Sequence, residues 1–376
     1  MNDWRARGFL AAVALVSVVL LARPAHDKPR DAVPDDDPTR LLSTAAPGFA
    51  RAEVTRPFEF PRDHDLHEDF QTEWWYFTGH LAAASGREFG FQLTLFRFEL
   101  AADHTPSDSA WRTPRVLLGH FAVSDFGARR FHAFERLARA HPDVAAIDAA
   151  PLTIRLDDWR IERLDTESGE HWRVHAAQDD IALSLSLTTS QSPVLQGAAG
   201  LSRKSTRAGN ASYYYSLPRL EATGDLQIGT ERLSVTGEAW LDREWSTSVL
   251  EPDQQGWDWF ALQLDDGASV MFYQLRDARG DAGPESAGSF VDTDGTVTPL
   301  SLADVDLTVT AWWTSPGSGH RYPHGWRLAI PGRAVAVEIK PRLAAQEWRG
   351  RFRYWEGAVS VTGSHTGRGY VELTGY

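Results

Sequence analysis

Three short segments carry residue types able to do acid–base chemistry beside aromatic rings. In Ala239-Trp-Leu-Asp-Arg-Glu-Trp245, strand alternation would set Trp240, Asp242 and Glu244 on one face and Leu241, Arg243 and Trp245 on the other. Two carboxylates beside a Trp suit general-acid work, either on a glycoside or in protonating an alkene. The same Asp-Arg-Glu run also reads as a charge ladder at a domain junction. Glu73 stands before Trp74 and Trp75. Desolvation there would raise its pKa and suit it to acid–base work; a buried Glu paired with Arg97 or another arginine is at least as strong an alternative. In Tyr213-Tyr-Tyr-Ser-Leu-Pro-Arg219, alternation puts Tyr213 and Tyr215 on one face and Tyr214 on the other. Their π faces could steady a cation, or simply pack a core. His120, in Gly119-His-Phe-Ala-Val123, is a lone strand histidine, a type more often hydrogen-bonded in a core than catalytic. The expected acid is Asp242, with Glu73 and Glu244 as further catalytic candidates. The expected substrate-binding set is Trp240, Tyr213, Tyr215, Trp74, Tyr76, His120, Trp257 and Tyr273.

His64 and His67 lie among Asp63, Asp65, Glu68 and Asp69, but their spacing fits no strong metal motif, and an acidic loop entering a strand is the plainer reading. No metal and no cofactor is expected. The chain has no G-x-S-x-G elbow, P-loop, Rossmann fingerprint or H-E-x-x-H.

Strands must position these residues. From Phe58 onward the dominant pattern has a period of two, clearest in Ile181-Ala-Leu-Ser-Leu-Ser-Leu187 and repeated in Val335-Ala-Val-Glu-Ile339 and Tyr370-Val-Glu-Leu-Thr-Gly-Tyr376. Gly- and Asp-containing turns at hairpin spacing separate the runs, which points to barrels or sandwiches. One stretch, Phe134-Glu-Arg-Leu-Ala-Arg-Ala-His141, is rich in helix formers and stops before Pro142, and predicts a short helical insertion. A hairpin appears twice. Trp74-Trp-Tyr-Phe77 returns as Phe91-Gln-Leu-Thr-Leu-Phe-Arg97; Trp257-Asp-Trp-Phe260 returns as Val270-Met-Phe-Tyr-Gln-Leu-Arg276. The repeat predicts two similar halves, 57–245 and 246–376, with Arg97 and Arg276 as equivalent structural ion-pairing residues.

The bulk numbers agree with an all-β reading. The 376 residues suit two domains, and 15 Trp, 18 Phe and 9 Tyr favour strands and apolar pockets. A net charge of −13 argues against nucleic acid. The absence of cysteine removes disulfides and thiolate chemistry without excluding export. Arg5 and Arg7 followed by an apolar run from Gly8 to Ala22 read as a signal peptide over 1–25, cleaved or retained as an anchor, with a Pro-, Asp- and Ala-rich linker over 26–56. The expected location is periplasmic or secreted, with membrane or transporter association as a further expectation; the oligomeric state is open.

Glu73-Trp-Trp-Tyr-Phe-Thr-Gly79, Tyr213-Tyr-Tyr-Ser216, Ala239-Trp-Leu-Asp-Arg-Glu-Trp245, Gly256-Trp-Asp-Trp-Phe260 and the ending Tyr354-Trp-Glu-Gly357 to Gly369-Tyr-Val-Glu-Leu-Thr-Gly375 together resemble the AttH-like secreted proteins, relatives of hydroxyneurosporene synthase, a carotenoid hydratase. The resemblance runs from about Phe58 to Tyr376 and implies two tandem lipocalin-like β-barrel domains. It implies an aromatic-x-Asp strand supplying the acid, matched by Trp240 and Asp242, with Trp where the hydratases tend to carry Tyr. Three functions follow as expectations. The first is a pocket for a hydrophobic small molecule, lipid, isoprenoid or polyene, with acid-type hydration, cyclisation or isomerisation through Asp242. The second is a non-catalytic periplasmic carrier of such a ligand. The third, ranked lowest, is a carbohydrate-active protein.

Overall fold

The computed structural model describes residues 46–102, 109, 113–149, 151–164, 169–247, 250, 251 and 253–376; the expected signal segment and most of the expected linker lie outside the described residues. Alternation along the chain produces almost nothing but antiparallel strands. Strands β1 to β13 (Thr72–Ala83, Glu88–Glu99, Arg115–Asp125, Arg130–Arg139, Ala145–Ala149, Leu152–Leu156, Trp159–Leu164, Glu170–Gln178, Ile181–Thr189, Val194–Leu195, Leu201–Arg203, Ala211–Ile228 and Glu231–Ser246) join in one sheet, and β14 to β23 (Gln254–Leu264, Ser269–Asp277, Ala287–Val291, Val297–Ser301, Asp306–Thr314, Arg321–Ile330, Val335–Pro341, Glu347–Arg349, Arg353–Gly363 and Gly367–Thr374) join in a second. The first sheet is ordered β4-β3-β2-β1-β13-β12-β9-β8-β7-β6-β5, with the short β10 and β11 attached to β12; the second is ordered β17-β16-β15-β14-β23-β22-β20-β19-β18, with β21 attached to β22. Both sheets are barrel-like. In the first, β4 and β6, distant in the strand order, come together as the sheet curls round its core.

The two sheets share one connection pattern. Each opens with a four-strand meander, β1 to β4 (Thr72–Ala83, Glu88–Glu99, Arg115–Asp125, Arg130–Arg139) or β14 to β17 (Gln254–Leu264, Ser269–Asp277, Ala287–Val291, Val297–Ser301). In each, the last strand in sequence then pairs with the first. The register agrees as well. Glu73 stands opposite Arg97 and Trp74 opposite Phe96; Gly256 stands opposite Arg276 and Trp257 opposite Leu275.

The helical expectation over Phe134–His141 is corrected: the segment belongs mostly to β4, paired residue by residue with β3 from Val116↔Arg139 to Asp125↔Arg130. The helix preference of Glu, Arg, Leu and Ala is weak, and a continuous ladder overrides it. The strand also sends alternate residues to different cores. Phe134 and Ala138 pack on the first barrel core, whereas Phe131 packs on Trp348 of the second sheet. Among the described residues the only helical turns are short 3-10 segments, such as Arg62–His64. None is long and apolar enough to cross a membrane.

Alternation also makes three apolar layers. Trp75, Phe77, Tyr215, Leu241 and Trp245 fill the first barrel, and Phe260, Trp326, Trp355 and Val371 the second. The opposite faces of the same strands, carrying Tyr76, Tyr214, Trp240, Trp259, Tyr273 and Tyr370, form a third layer where the sheets meet. Here β1, β2 and β12 contact β23, β22 and β14.

Candidate active site

The third layer is not filled solid. It holds a cavity of about 190 Å³, lined in large part by aromatic side chains, four tyrosines among them, with Asp242, Glu244, Glu356, Glu372, Lys204 and His120 as its acidic and basic groups. Both sheets build it, so the pocket lies between the barrel-like sheets rather than inside either.

Asp242 is 4% exposed and tightly held. Tyr214 donates to its Oδ2 at 2.6 Å, while Ser216 at 2.5 Å and the Trp240 indole N–H at 2.7 Å donate to Oδ1. β12 (Ala211–Ile228) lies beside β13 with Tyr214 opposite Glu244 and Ser216 opposite Asp242, which delivers the two hydroxyls. Burial pushes the Asp242 carboxyl up to about 7; its three donors oppose that rise and Glu244 adds to it. Such a group holds a proton near neutral pH and can release it, as a general acid requires.

Glu244 is ion-paired with Lys204 at 3.0 Å. The Lys204 ammonium also donates to Ser202 and lies 4.6 Å from the centre of the Tyr273 ring. Burial, the largest single influence, would lower the Lys204 pKa, but Glu244, Tyr273 and Asp242 together turn the net direction upward. On the second sheet, Glu356 in β22 (Arg353–Gly363) stands directly opposite Glu372 in β23. Tyr76 donates to Glu356 Oε1 at 2.6 Å, and the Trp257 indole donates to Glu372 Oε1 at 2.8 Å. Burial first, then the Glu372 carboxylate, raises the Glu356 pKa well above the ordinary value against the pull of Tyr76 and Tyr354; burial, with Asp242 and Glu244 adding and the Trp257 donor opposing, pushes Glu372 up to about 7. His120 reaches the cavity wall with Nδ1 2.7 Å from the Tyr354 hydroxyl, its ring stacked on Trp348.

The structure brings Asp242, Glu244, Trp74, Tyr76, His120, Trp257 and Tyr273 together at the cavity; Trp240 stands behind Asp242 as its donor. It does not bring Glu73, Tyr213 or Tyr215 there. Glu73 sits on the opposite face of β1, wholly buried, 2.7 Å from Arg243 and 3.4 Å from Arg97, with His67 at 2.7 Å. Although burial alone would raise its pKa, the Arg243 and Arg97 guanidiniums and the hydrogen bond with His67 hold it far below the usual carboxylate range. Tyr213 and Tyr215 face the first barrel core. The Tyr215 hydroxyl meets His64 Nδ1 at 2.5 Å, and Tyr213 donates to the Val54 carbonyl. Arg276 lies 2.8 Å from Asp258 and packs over the Tyr376 ring. The His64–His67 segment gathers no metal-like cluster among the described residues; His67 bridges Asp63 and Glu73 instead.

Sequence reasoning passed over Tyr214, Ser216, Lys204, Trp259, Tyr354, Glu356 and Glu372. One signal was present: alternation puts Tyr354 with Glu356 and Tyr370 with Glu372 on their strands. The choice of Tyr214 among the three tyrosines comes only from its pairing with Glu244 in the folded sheet.

Two barrel-like antiparallel sheets meeting over an aromatic, carboxyl-bearing cavity define a lipocalin-like class of protein. Within it, the chain belongs to the AttH-like family, whose model matches residues 51–376. The crystal structure of an AttH protein from Nitrosomonas europaea is 35% identical and covers 89% of this chain and 100% of its own, with a TM-score of 0.76. Kievitone hydratase from Nectria haematococca is similar in fold at 15% identity, covering 87% of this chain and 98% of its own with a TM-score of 0.63. No curated protein matches the sequence.

Proposed function

We propose that the chain binds an apolar unsaturated molecule between its two sheets and adds water to it, with Asp242 as the general acid. What carries this reading is a buried carboxyl facing an aromatic cavity, without an ion-pair partner among the described residues and pushed up to about 7 by burial. Protonating an alkene needs an acid kept away from bulk water, since water would otherwise quench the cation. The faces of Trp74, Trp257 and Trp259 supply negative quadrupole density to such a cation without offering it a nucleophile. The similarity in fold to kievitone hydratase supports the reaction class but not the substrate. The basic N-terminus and following apolar run support export as part of the same proposal.

The test is incubation of the full chain with a panel of terpenoid and polyene alkenes, and with kievitone, in ¹⁸O-labelled water. Mass spectrometry should find one labelled oxygen added to a panel member, and Asp242→Asn should abolish that product. Equal turnover by this variant would overturn the assignment. Binding of panel members with no product would favour the carrier reading; thermal stabilisation by oligosaccharides alone would favour the carbohydrate reading.

A further inference from the structure

Aligning the two sheets on their hairpin tryptophans puts Trp74 with Trp257 and Tyr76 with Trp259. The closing strands then follow without adjustment. Tyr76 is opposite Asp242 and Trp259 is opposite Glu372. One strand further, Asp242 is opposite Ser216 and Glu372 is opposite Glu356. Glu372 is therefore the counterpart of Asp242, Glu356 of Ser216, and Tyr354 of Tyr214. Both barrels present a buried carboxyl to one cavity from the same place in their sheets.

The copies differ where it matters chemically. In the first sheet the neighbour of the acid is a serine hydroxyl; in the second it is another carboxyl. Among the described residues neither Glu356 nor Glu372 has an ion-pair partner, and the donors to Glu356 are the neutral Tyr76 and Tyr354 hydroxyls. The groups around the pair are Tyr76 from β1, Asp242 and Glu244 from β13, Trp257 from β14, and Tyr354 and Tyr370 from the pair's own strands. Lys204 is committed to Glu244. Two carboxylates at adjacent positions in a dry wall cannot both ionise readily, so one proton shared between them is the favoured state.

We propose that Glu356 and Glu372 form a one-proton carboxyl pair that acts as the base for the water added at this site, a role that rests on the hydration reading. Asp242 gives its proton to one alkene carbon, and the π electron pair forms the new C–H bond. The oxygen of a water molecule bonds to the other carbon, and the proton it sheds passes to the ionised member of the pair. Alkene and water become an alcohol, leaving Asp242 ionised and the pair doubly protonated. Water refilling the cavity after release returns the proton to Asp242. The duplicated fold thus supplies acid and base from equivalent strands of two barrels.

Infrared spectra of the full chain, with glutamate alone ¹³C-labelled, test the pair without any variant. At about pH 8 one protonated glutamate carboxyl is expected in a buried environment. Glu372→Gln and Glu356→Gln should each alter that band, whereas Asp242→Asn should spare it. No band, or one insensitive to both glutamate variants, overturns the proposal. With a panel member that is hydrated, Glu372→Gln should lower kcat by about 10²-fold or more. It should also remove the acidic limb of the pH profile while leaving KM and the alkaline limb in place. Unchanged kcat and limbs in an active wild-type background defeat the base role alone. A wild-type chain that hydrates nothing defeats the hydration reading and the base role with it, and the infrared band still decides whether the pair shares a proton.

Discussion

Tyr76 and Trp259 occupy the same register position of two different sheets, and they touch. Their rings lie 5.2 Å apart at 85°, edge to face, at the centre of the layer between the barrels. Each reaches across to the other sheet's acid group: Tyr76 donates to Glu356 at 2.6 Å, and the Trp259 indole donates to the Tyr214 hydroxyl, itself bonded to Asp242, at 3.2 Å. Register counterparts from the two sheets thus meet in the cavity wall, and each is hydrogen-bonded to the other sheet's buried carboxyl or to the donor that holds it.

Tyr76→Phe is expected to destabilise the protein by about 1–3 kcal/mol, because Glu356 Oε1 would stay buried without that donor. Chemical denaturation of variant and wild type at neutral pH checks this. A loss within error would mean that water or Tyr354 replaces the phenol at no cost.

Arg276→Met is expected to cost about 3–5 kcal/mol, since it leaves a buried carboxylate without its cation. Asp258 lies 2.8 Å from that guanidinium and is 2% exposed. Burial already raises the Asp258 pKa despite Arg276. Without the arginine it should take up a proton more readily, so the deficit should shrink as pH falls. Denaturation at about pH 8 and about pH 5 measures the difference, and a deficit independent of pH would assign the loss to packing on Tyr376 instead.

Asp242→Asn is expected to stabilise the fold at alkaline pH relative to wild type. The folded carboxyl holds its proton up to about 7, against an ordinary value of 3.8. As pH rises through that window the unfolded chain sheds its proton first, so wild-type stability falls between about pH 4 and about pH 7, by up to about 4 kcal/mol from this group. The asparagine has no proton to lose. Thermal unfolding across the window should therefore give a difference between variant and wild type that grows with pH; a constant difference would contradict the burial argument.

Much of this was legible in the residues, and the exceptions have physical causes. The period of two gave the strands, and the paired Trp-to-Arg hairpins pointed to the shared register of Arg97 and Arg276. Trp240, Asp242 and Glu244 do share one face. What alternation could not supply was phase: Tyr213, Tyr214 and Tyr215 alternate equally well in either sense, and only the pairing Tyr214↔Glu244 turns the middle one toward the acid. Glu73 needed tertiary information too, because its two arginines arrive from β2 and β13. The segment around Phe134 misled because its residues favour a helix in isolation, while the ladder with β3 is a long-range fact. Glu356 and Glu372 are about as far from Asp242 in sequence as the second barrel allows, and only strand order brings them to the same wall.

Tyr214→Phe tests how Asp242 is tuned. Burial is the dominant influence on that carboxyl and raises its pKa; the hydrogen bonds from Ser216, Tyr214 and Trp240 pull it back by favouring the ionised form. Removing the Tyr214 hydroxyl takes away the 2.6 Å donor on Oδ2 and leaves Oδ1 with both of its donors. Asp242 should then keep its proton to higher pH. If Asp242 is the acid, activity in wild type falls as pH rises through about 7, and in Tyr214→Phe that alkaline limb should move upward. The rate below the limb should fall only modestly, because a weaker acid transfers its proton less readily. The infrared band of the protonated Asp242 carboxyl, titrated in both proteins, provides a readout independent of turnover and should move in the same direction. A limb or band that shifts downward would mean that the phenol stabilises the neutral carboxyl, and that Asp242 is tuned by something other than these three donors and its burial.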